Sequence, residues 1–159
     1  MPVPDFILEL RRHVGQAELW LPGITAVVHR GTGPDLELLL VRRSDNGNWT
    51  PVTGIVDPGE DPGVAARREA QEETGVQVSV DRLAWVLAQP PHTHVNGDRA
   101  IYLDHTFACT WRSGDAHPAD DESSEVGWFG LDALPPMTPV MLERIAVALA
   151  DDPVTRFRS

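Results

Sequence analysis

Glu69, Glu72 and Glu73 stand at i, i+3 and i+4 within the segment GIVDPGEDPGVAARREAQEETGV, residues 54–76. On a helix, that spacing projects all three carboxylates from one face. Like charges within a single turn repel one another. Glu72 and Glu73 also crowd the helix C-terminus, where the dipole disfavours negative charge. A hard divalent cation relieves both penalties: Mg²⁺ prefers carboxylate and water oxygens and usually brings substrate phosphates with it. The plain alternative is a solvated charged face. Arg68 lies four residues before Glu72, the spacing of a helical ion pair, and Ala66 and Ala70 border the acidic face. Their small size would let the helix approach a sheet closely.

The elements that must position these groups are readable around them. Asp61-Pro62 is a helix start, with Asp as a cap and Pro at the first helical position, and Gly75 is a stop, so the helix covers residues 62–74. Upstream, residues 5–14 place Phe6, Ile7, Leu10 and Val14 at helical spacing. An apolar, largely β-branched strand over 20–29, a turn over 31–35 and a returning strand over 36–43 suggest a hairpin-like pair. A loop over 44–49 leads to a short extended piece at 50–54. Downstream, strands over 76–88 and 99–110 flank a loop at 90–97, and an acidic loop over 113–123 precedes a strand near 125–129. Thr138-Pro139 opens a last helix to about residue 150, with Val140, Leu142, Ile145 and Leu149 as its apolar positions. Mixed strands with few helices, not strictly alternating, predict an α+β fold of the α/β/α sandwich type.

Composition narrows the function. The chain has 159 residues, 42% apolar and 23% charged, which fits one domain over 1–159. All 13 basic residues are Arg, against 24 acidic residues, for a net charge of −11. Such a surface repels polyphosphate backbones, which argues against general nucleic-acid binding and makes local cations necessary for any small anionic substrate. The single cysteine, Cys109, fits a reducing compartment. No apolar leader or membrane-length stretch is present, so a cytoplasmic location without membrane attachment is expected.

The segment 54–76 resembles the Nudix box, G-x5-E-x7-R-E-U-x-E-E-x-G-U, with U a bulky aliphatic residue. Gly54, Glu60, Arg68, Glu69, Glu72, Glu73, Gly75 and Val76 all fall in place. Ala70 departs, standing where the family prefers Ile, Leu or Val. Before the box, Val52-Thr53-Gly54-Ile55 replaces a frequent Pro-Gly-Gly. The resemblance implies a mixed β-sheet between helices and the Mg²⁺-dependent hydrolysis, with Mn²⁺ as a substitute, of a nucleoside diphosphate linked to another group. Carried over by position, Glu69 and Glu73 would be the principal metal ligands, with Glu72 sharing metal or water contacts and the Gly54 carbonyl contributing. Arg68 and Glu60 would pair to hold the ligands in orientation. Glu122, in the loop before the last strand, is the choice for additional ligand or general base. Of Arg42 and Arg43, which point to opposite sheet faces, Arg43 is favoured as the phosphate contact.

Trp49 and Tyr102 are the aromatic faces available to substrate, while Trp85, in an apolar strand, reads as core. Pro91, sixteen residues after Gly75, resembles a marker of relatives that hydrolyse ADP-ribose. It tips the expectation towards ADP-ribose or a sugar nucleotide. The alternatives are a (d)NTP, oxidised forms included, or a non-catalytic nucleotide sensor, although a sensor would typically have lost the box glutamates. Relatives that cleave ADP-ribose are often homodimers, so the resemblance also implies a homodimer. His92, His94 and His105 read as a solvated or substrate-lining group, with zinc the minority reading.

Overall fold

The twelve-residue strand β1 (Leu19–Arg30) is the axis of the fold. Its central run, residues 24–28, is apolar or β-branched on both sides and has to be covered on both faces. The structure, a computed structural model describing residues 3–159, covers it with helices. Ile24, Ala26 and Val28 share a core with the buried face of α2 (Pro62–Thr74). Val27 belongs to a separate core with Ile145 and Ala148 of α3 (Pro139–Leu149). The result is an α+β fold in which a mixed sheet lies between helices.

Along β1, β7 (Arg99–Ser113) runs parallel, from Leu19↔Ala100 to His29↔Thr110. On its other edge β4 (Val52–Ile55) runs antiparallel, from Gly23↔Ile55 to Ala26↔Val52. Beyond β7 lies β5 (Gln77–Ala88), antiparallel, and the two-residue β6 (His92–Thr93) adds to the start of β7. The strand β2 (Glu37–Arg43) pairs with β3 (Trp49–Thr50) and with β8 (Ser123–Gly130).

The expected hairpin is only a clasp. β1 and β2 pair at His29↔Leu38 and Arg30↔Glu37 and then part, because β4 holds the edge of β1 along which β2 would otherwise continue. Pro51 sits at the switch between β3 and β4, where the chain leaves one partner for another and a missing N–H is tolerated. The strand ends bearing Arg43, Thr50 and Gly54 thereby line one cleft.

Helix α2 follows its local signals, with two refinements. The Asp61 side chain makes no capping bond; instead its carbonyl accepts from the N–H groups of Val64 and Ala65, at 2.9 and 3.0 Å. Ala65, Ala66 and Ala70 are fully buried against the sheet, so the small residue at 70 is the close-packing face of the helix. Gly75 ends α2 in the left-handed conformation, φ 73°.

The other helices correct the apolar pattern. In α1 (Asp5–Val14) Ile7 is buried with Leu21 and Ala100, while Leu10 and Val14 are exposed. In α3 Val140 and Leu142 are exposed, and Arg144, Ile145 and Ala148 face inward. No helix among the described residues is long and apolar enough to cross a membrane.

Candidate active site

At about 100° per residue, Glu72 lies roughly 60° to one side of Glu69 and Glu73 roughly 40° to the other, so the three carboxylates leave one face of α2 within an arc of about 100°. Burial divides that face. Glu69 and Glu73 are 1% and 3% exposed, whereas the Glu72 side chain is 42% exposed. Buried carboxylates are rare without compensation, and here it is incomplete. Glu69 Oε1 accepts from Arg68 Nη1 at 2.9 Å, while Oε2 is buried with no hydrogen-bond partner among the described residues. Glu73 Oε2 accepts a long bond from the Ser123 hydroxyl, 3.4 Å. Gly54 makes room for this arrangement: a Cβ there would overlap the Glu69 carboxyl group.

Arg68 is the hub. Its Nε and Nη2 donate to the two Glu60 oxygens at 2.9 and 2.8 Å, its Nη1 also reaches Glu72 at 3.1 Å, and its Nη2 donates to the Ile55 carbonyl at 3.1 Å. Glu60 Oε2 in turn accepts from the Asp57 N–H at 3.1 Å. One guanidinium therefore ties β4, the loop before α2 and α2 itself together. Beside it, the Glu60 carboxyl is held below the usual carboxylate range.

The buried pair behaves oppositely. Burial pushes the Glu69 carboxyl up to about 7, partly offset by Arg68. Burial together with Glu122, Glu69 and Asp120 pushes Glu73 up to about 9. Asp120 and Glu122 act on Glu73 because of the β7–β8 loop. His117 N–H donates to the Thr74 carbonyl at 3.1 Å and Ala119 N–H to the Glu73 carbonyl at 3.0 Å. The loop thus satisfies carbonyls that the end of α2 leaves without intrahelical partners.

Of these groups, Glu69 and Glu122 stand on the wall of a cleft of about 740 Å³. Gly54, Glu69, Glu122, Arg43 and Tyr102 line it together. Arg43 is forked onto Asp45, at 3.0 and 2.8 Å. The Tyr102 hydroxyl and His94 Nε2 share a hydrogen bond of 2.8 Å. Trp49 is not on the cleft wall; it packs edge-on against Phe129, centroids 5.0 Å apart. Trp85 is fully buried, under the Arg156 guanidinium. His92 and His94 line the cleft, and His105 Nδ1 donates to the Gly23 carbonyl at 3.0 Å.

Among the described residues no three His, Cys, Asp or Glu side chains are placed to enclose a metal ion by themselves. The donor set at Glu69 and Glu73 still fits a hard divalent cation. It offers two buried carboxylates, one oxygen of which has no partner, and leaves the remaining positions to a backbone carbonyl, water and substrate, as Mg²⁺ ordinarily takes them.

Two contributors escaped the sequence reading. Pro4, Ile7 and Arg11, at and within α1, form part of the cleft wall. Arg144 of α3 also lines the cleft, 1% exposed. The signal for Arg144 was present: Met141, Arg144, Ile145 and Ala148 follow i, i+3, i+4, i+7 spacing, which places an arginine on the inward stripe.

Comparison with known proteins places this geometry among relatives. A family model described as NUDIX domain matches residues 20–148. The chain is 34% identical over 123 residues to the NAD-capped RNA hydrolase NudC of Deinococcus radiodurans; the match covers 74% of this chain but 40% of that protein. It is also 34% identical over 128 residues to a MutT-like protein of Streptomyces ambofaciens, covering 80% of this chain and 73% of the relative. Among solved structures, a UDP-X diphosphatase shares the fold with a TM-score of 0.65 at 21% identity, over 91% of this chain and 70% of that one.

Proposed function

The chain belongs to the Nudix hydrolase family, and from that premise we propose that it hydrolyses the pyrophosphate linkage of a nucleoside diphosphate joined to a second group. One observation carries the reading: two buried carboxylates one helical turn apart, Glu69 and Glu73, of which Glu69 has an oxygen with no partner among the described residues and stands on the wall of a cleft large enough for a nucleotide. The family generally uses a divalent metal, and Glu69, Glu73 and the Gly54 carbonyl would hold Mg²⁺ or Mn²⁺, with Glu72 on the solvent side. Bound there, the cation would neutralise phosphate oxygens and acidify a water.

The chain's own residues divide the remaining work. Arg68, fixed by Glu60, orients Glu69 and Glu72. Glu122 is the general base that takes the proton of the attacking water; it lines the cleft and acts electrostatically on both Glu69 and Glu73. Arg43 exchanges Asp45 for a substrate phosphate, and Tyr102 offers an aromatic face to the substrate. Pro91 immediately precedes His92 on the cleft wall and supports a sugar nucleotide of the ADP-ribose kind. A (d)NTP is the competing substrate.

Product analysis by mass spectrometry, with and without Mg²⁺, tests this across sugar nucleotides, ADP-ribose and each (d)NTP. Metal-dependent formation of a nucleoside monophosphate plus a sugar phosphate is the expected outcome. Monophosphate plus pyrophosphate from a (d)NTP would retain the hydrolase and replace the substrate. Absence of turnover with every compound in the presence of metal would overturn the activity.

A further inference from the structure

The cleft has a second polar feature, away from the glutamates. Arg144 projects inward from α3, and its Nη1 donates to the Thr25 hydroxyl at 2.8 Å. The Thr25 hydroxyl in turn donates to Asp104 Oδ1 at 2.8 Å, and Thr106 donates to Asp104 Oδ2 at 2.7 Å. Both carboxylate oxygens are therefore already accepting. Arg144 Nε and Nη2, by contrast, are buried with no partner among the described residues, and so is the Thr50 hydroxyl. Arg144, Asp104 and Thr50 all line the cleft.

Nε and Nη2 occupy one edge of the guanidinium plane, the fork that takes two acceptors side by side. A buried polar atom ordinarily has a partner, so the unmet demand in this part of the cleft is for a pair of acceptors. The partner's charge can be argued as well. Asp104 Oδ1 lies 3.6 Å from Arg144 Nη1, so the guanidinium is already neutralised and an additional anion would be buried uncompensated. A neutral ring carrying two adjacent acceptors meets the demand without that cost. Leu21, Ile24, Ala100 and Met141 line the same cleft and give a ring apolar surface.

Resting on the nucleotide-hydrolase reading above, we infer that the Nε/Nη2 edge of Arg144 recognises the O6 and N7 acceptors of a guanine-type base, so that the cleft selects 6-oxopurine over adenine nucleotides. Arginine forked onto this acceptor pair is a strong base-discriminating contact. Adenine presents an amino group beside N7, setting donor against donor, and the Asp104 oxygens already serve two threonines. The inference keeps the sugar-nucleotide class proposed above but replaces the adenine of ADP-ribose, which Pro91 alone supports, with guanine.

The test is equilibrium binding of GMP, 7-deaza-GMP, AMP and CMP to the full chain by calorimetry, which needs neither metal nor turnover. GMP is expected to bind about tenfold to a hundredfold more tightly than AMP or 7-deaza-GMP. Arg144→Lys, checked for folding by thermal denaturation, should remove most of that difference. Equal binding of GMP and 7-deaza-GMP overturns the inference, as does a preference for AMP or CMP, or no binding of any of the four. Should Arg144→Lys fail to fold, the 7-deaza comparison on the unaltered protein decides alone. Hydrolysis of GDP-linked and ADP-linked sugars in Mg²⁺ is measured in parallel. A guanine preference in binding without turnover would count against the hydrolase reading and leave base recognition standing.

Discussion

Arg68 and Glu60 meet in a two-point ion pair, Nε to Oε1 at 2.9 Å and Nη2 to Oε2 at 2.8 Å, while the same guanidinium reaches Glu69 with Nη1. The orientation of a buried carboxylate on α2, Glu69, thus depends on a residue nine positions away in the loop before the helix. Such forked pairs carry geometric information that a point charge does not.

Glu60→Gln and Arg68→Lys each break the fork while keeping a polar side chain. Each is expected to weaken the apparent Mg²⁺ affinity about tenfold to a hundredfold, with a smaller effect at saturating metal. Titration of initial rate against Mg²⁺ reads this directly. An unchanged metal dependence in both variants would mean that the pair only stabilises the loop.

Glu69 and Glu73, raised to about 7 and about 9, hold their protons more tightly folded than unfolded. Stability from such groups is fully present below the ordinary glutamate range and is lost as pH rises through the folded values. The metal-free protein should therefore lose thermal stability progressively from about pH 5 to pH 9, by several degrees. Added Mg²⁺ should stabilise more at high pH than at low pH, because its ligands must be deprotonated. Glu69→Gln/Glu73→Gln should flatten the metal-free profile and abolish turnover. Melting curves across pH, with and without Mg²⁺, check both the slope and its removal.

Gly54→Ala places a methyl group in the space of the Glu69 carboxyl. Overpacking at such a site costs about 1–3 kcal/mol, and displacement of Glu69 should reduce activity more than the stability loss explains. Denaturant unfolding and kcat measured on the same preparation separate the two effects.

Gly75→Ala meets two obstacles, a left-handed backbone and the His117 ring. A loss of about 1–2 kcal/mol is expected from the backbone alone. His117→Ala in that background should recover the steric part and leave the backbone part. Chemical denaturation of the two variants and the double variant measures the partition.

Much of the site could be read from the chain because its chemistry is local. The ends of α2, the Arg68 fork and the three glutamates lie within one loop and one helix, where Asp61-Pro62, Gly75 and the residue spacing act at short range. Even there, helical spacing puts Glu72 on the same face as Glu69 and Glu73 but is silent on burial, which the sheet decides. What stayed hidden depends on distant partners. The parting of β1 from β2 is set by β4 taking the shared edge, and Trp49 is drawn aside by Phe129. Arg144 is inward because Thr25 and Asp104 receive it. No local pattern names those partners, although the helical stripe on which Arg144 sits was visible.

Glu73 holds the β7–β8 loop through its main-chain carbonyl while its side chain is buried against Ser123. Between that anchor and the Ser44 N–H, which donates to the Glu122 carbonyl at 2.8 Å, the chain has a set length. The span from Ala119 to Glu122 therefore acts as a ruler. Residues inserted at the exposed Asp115, before the anchor, would bulge outward and leave Glu122 in place. A single residue added between Ala119 and Glu122 would push the acidic side chains out of register with α2. Length variation among related chains should accordingly gather ahead of His117 and be absent from the three residues after the anchor, Asp120 to Glu122.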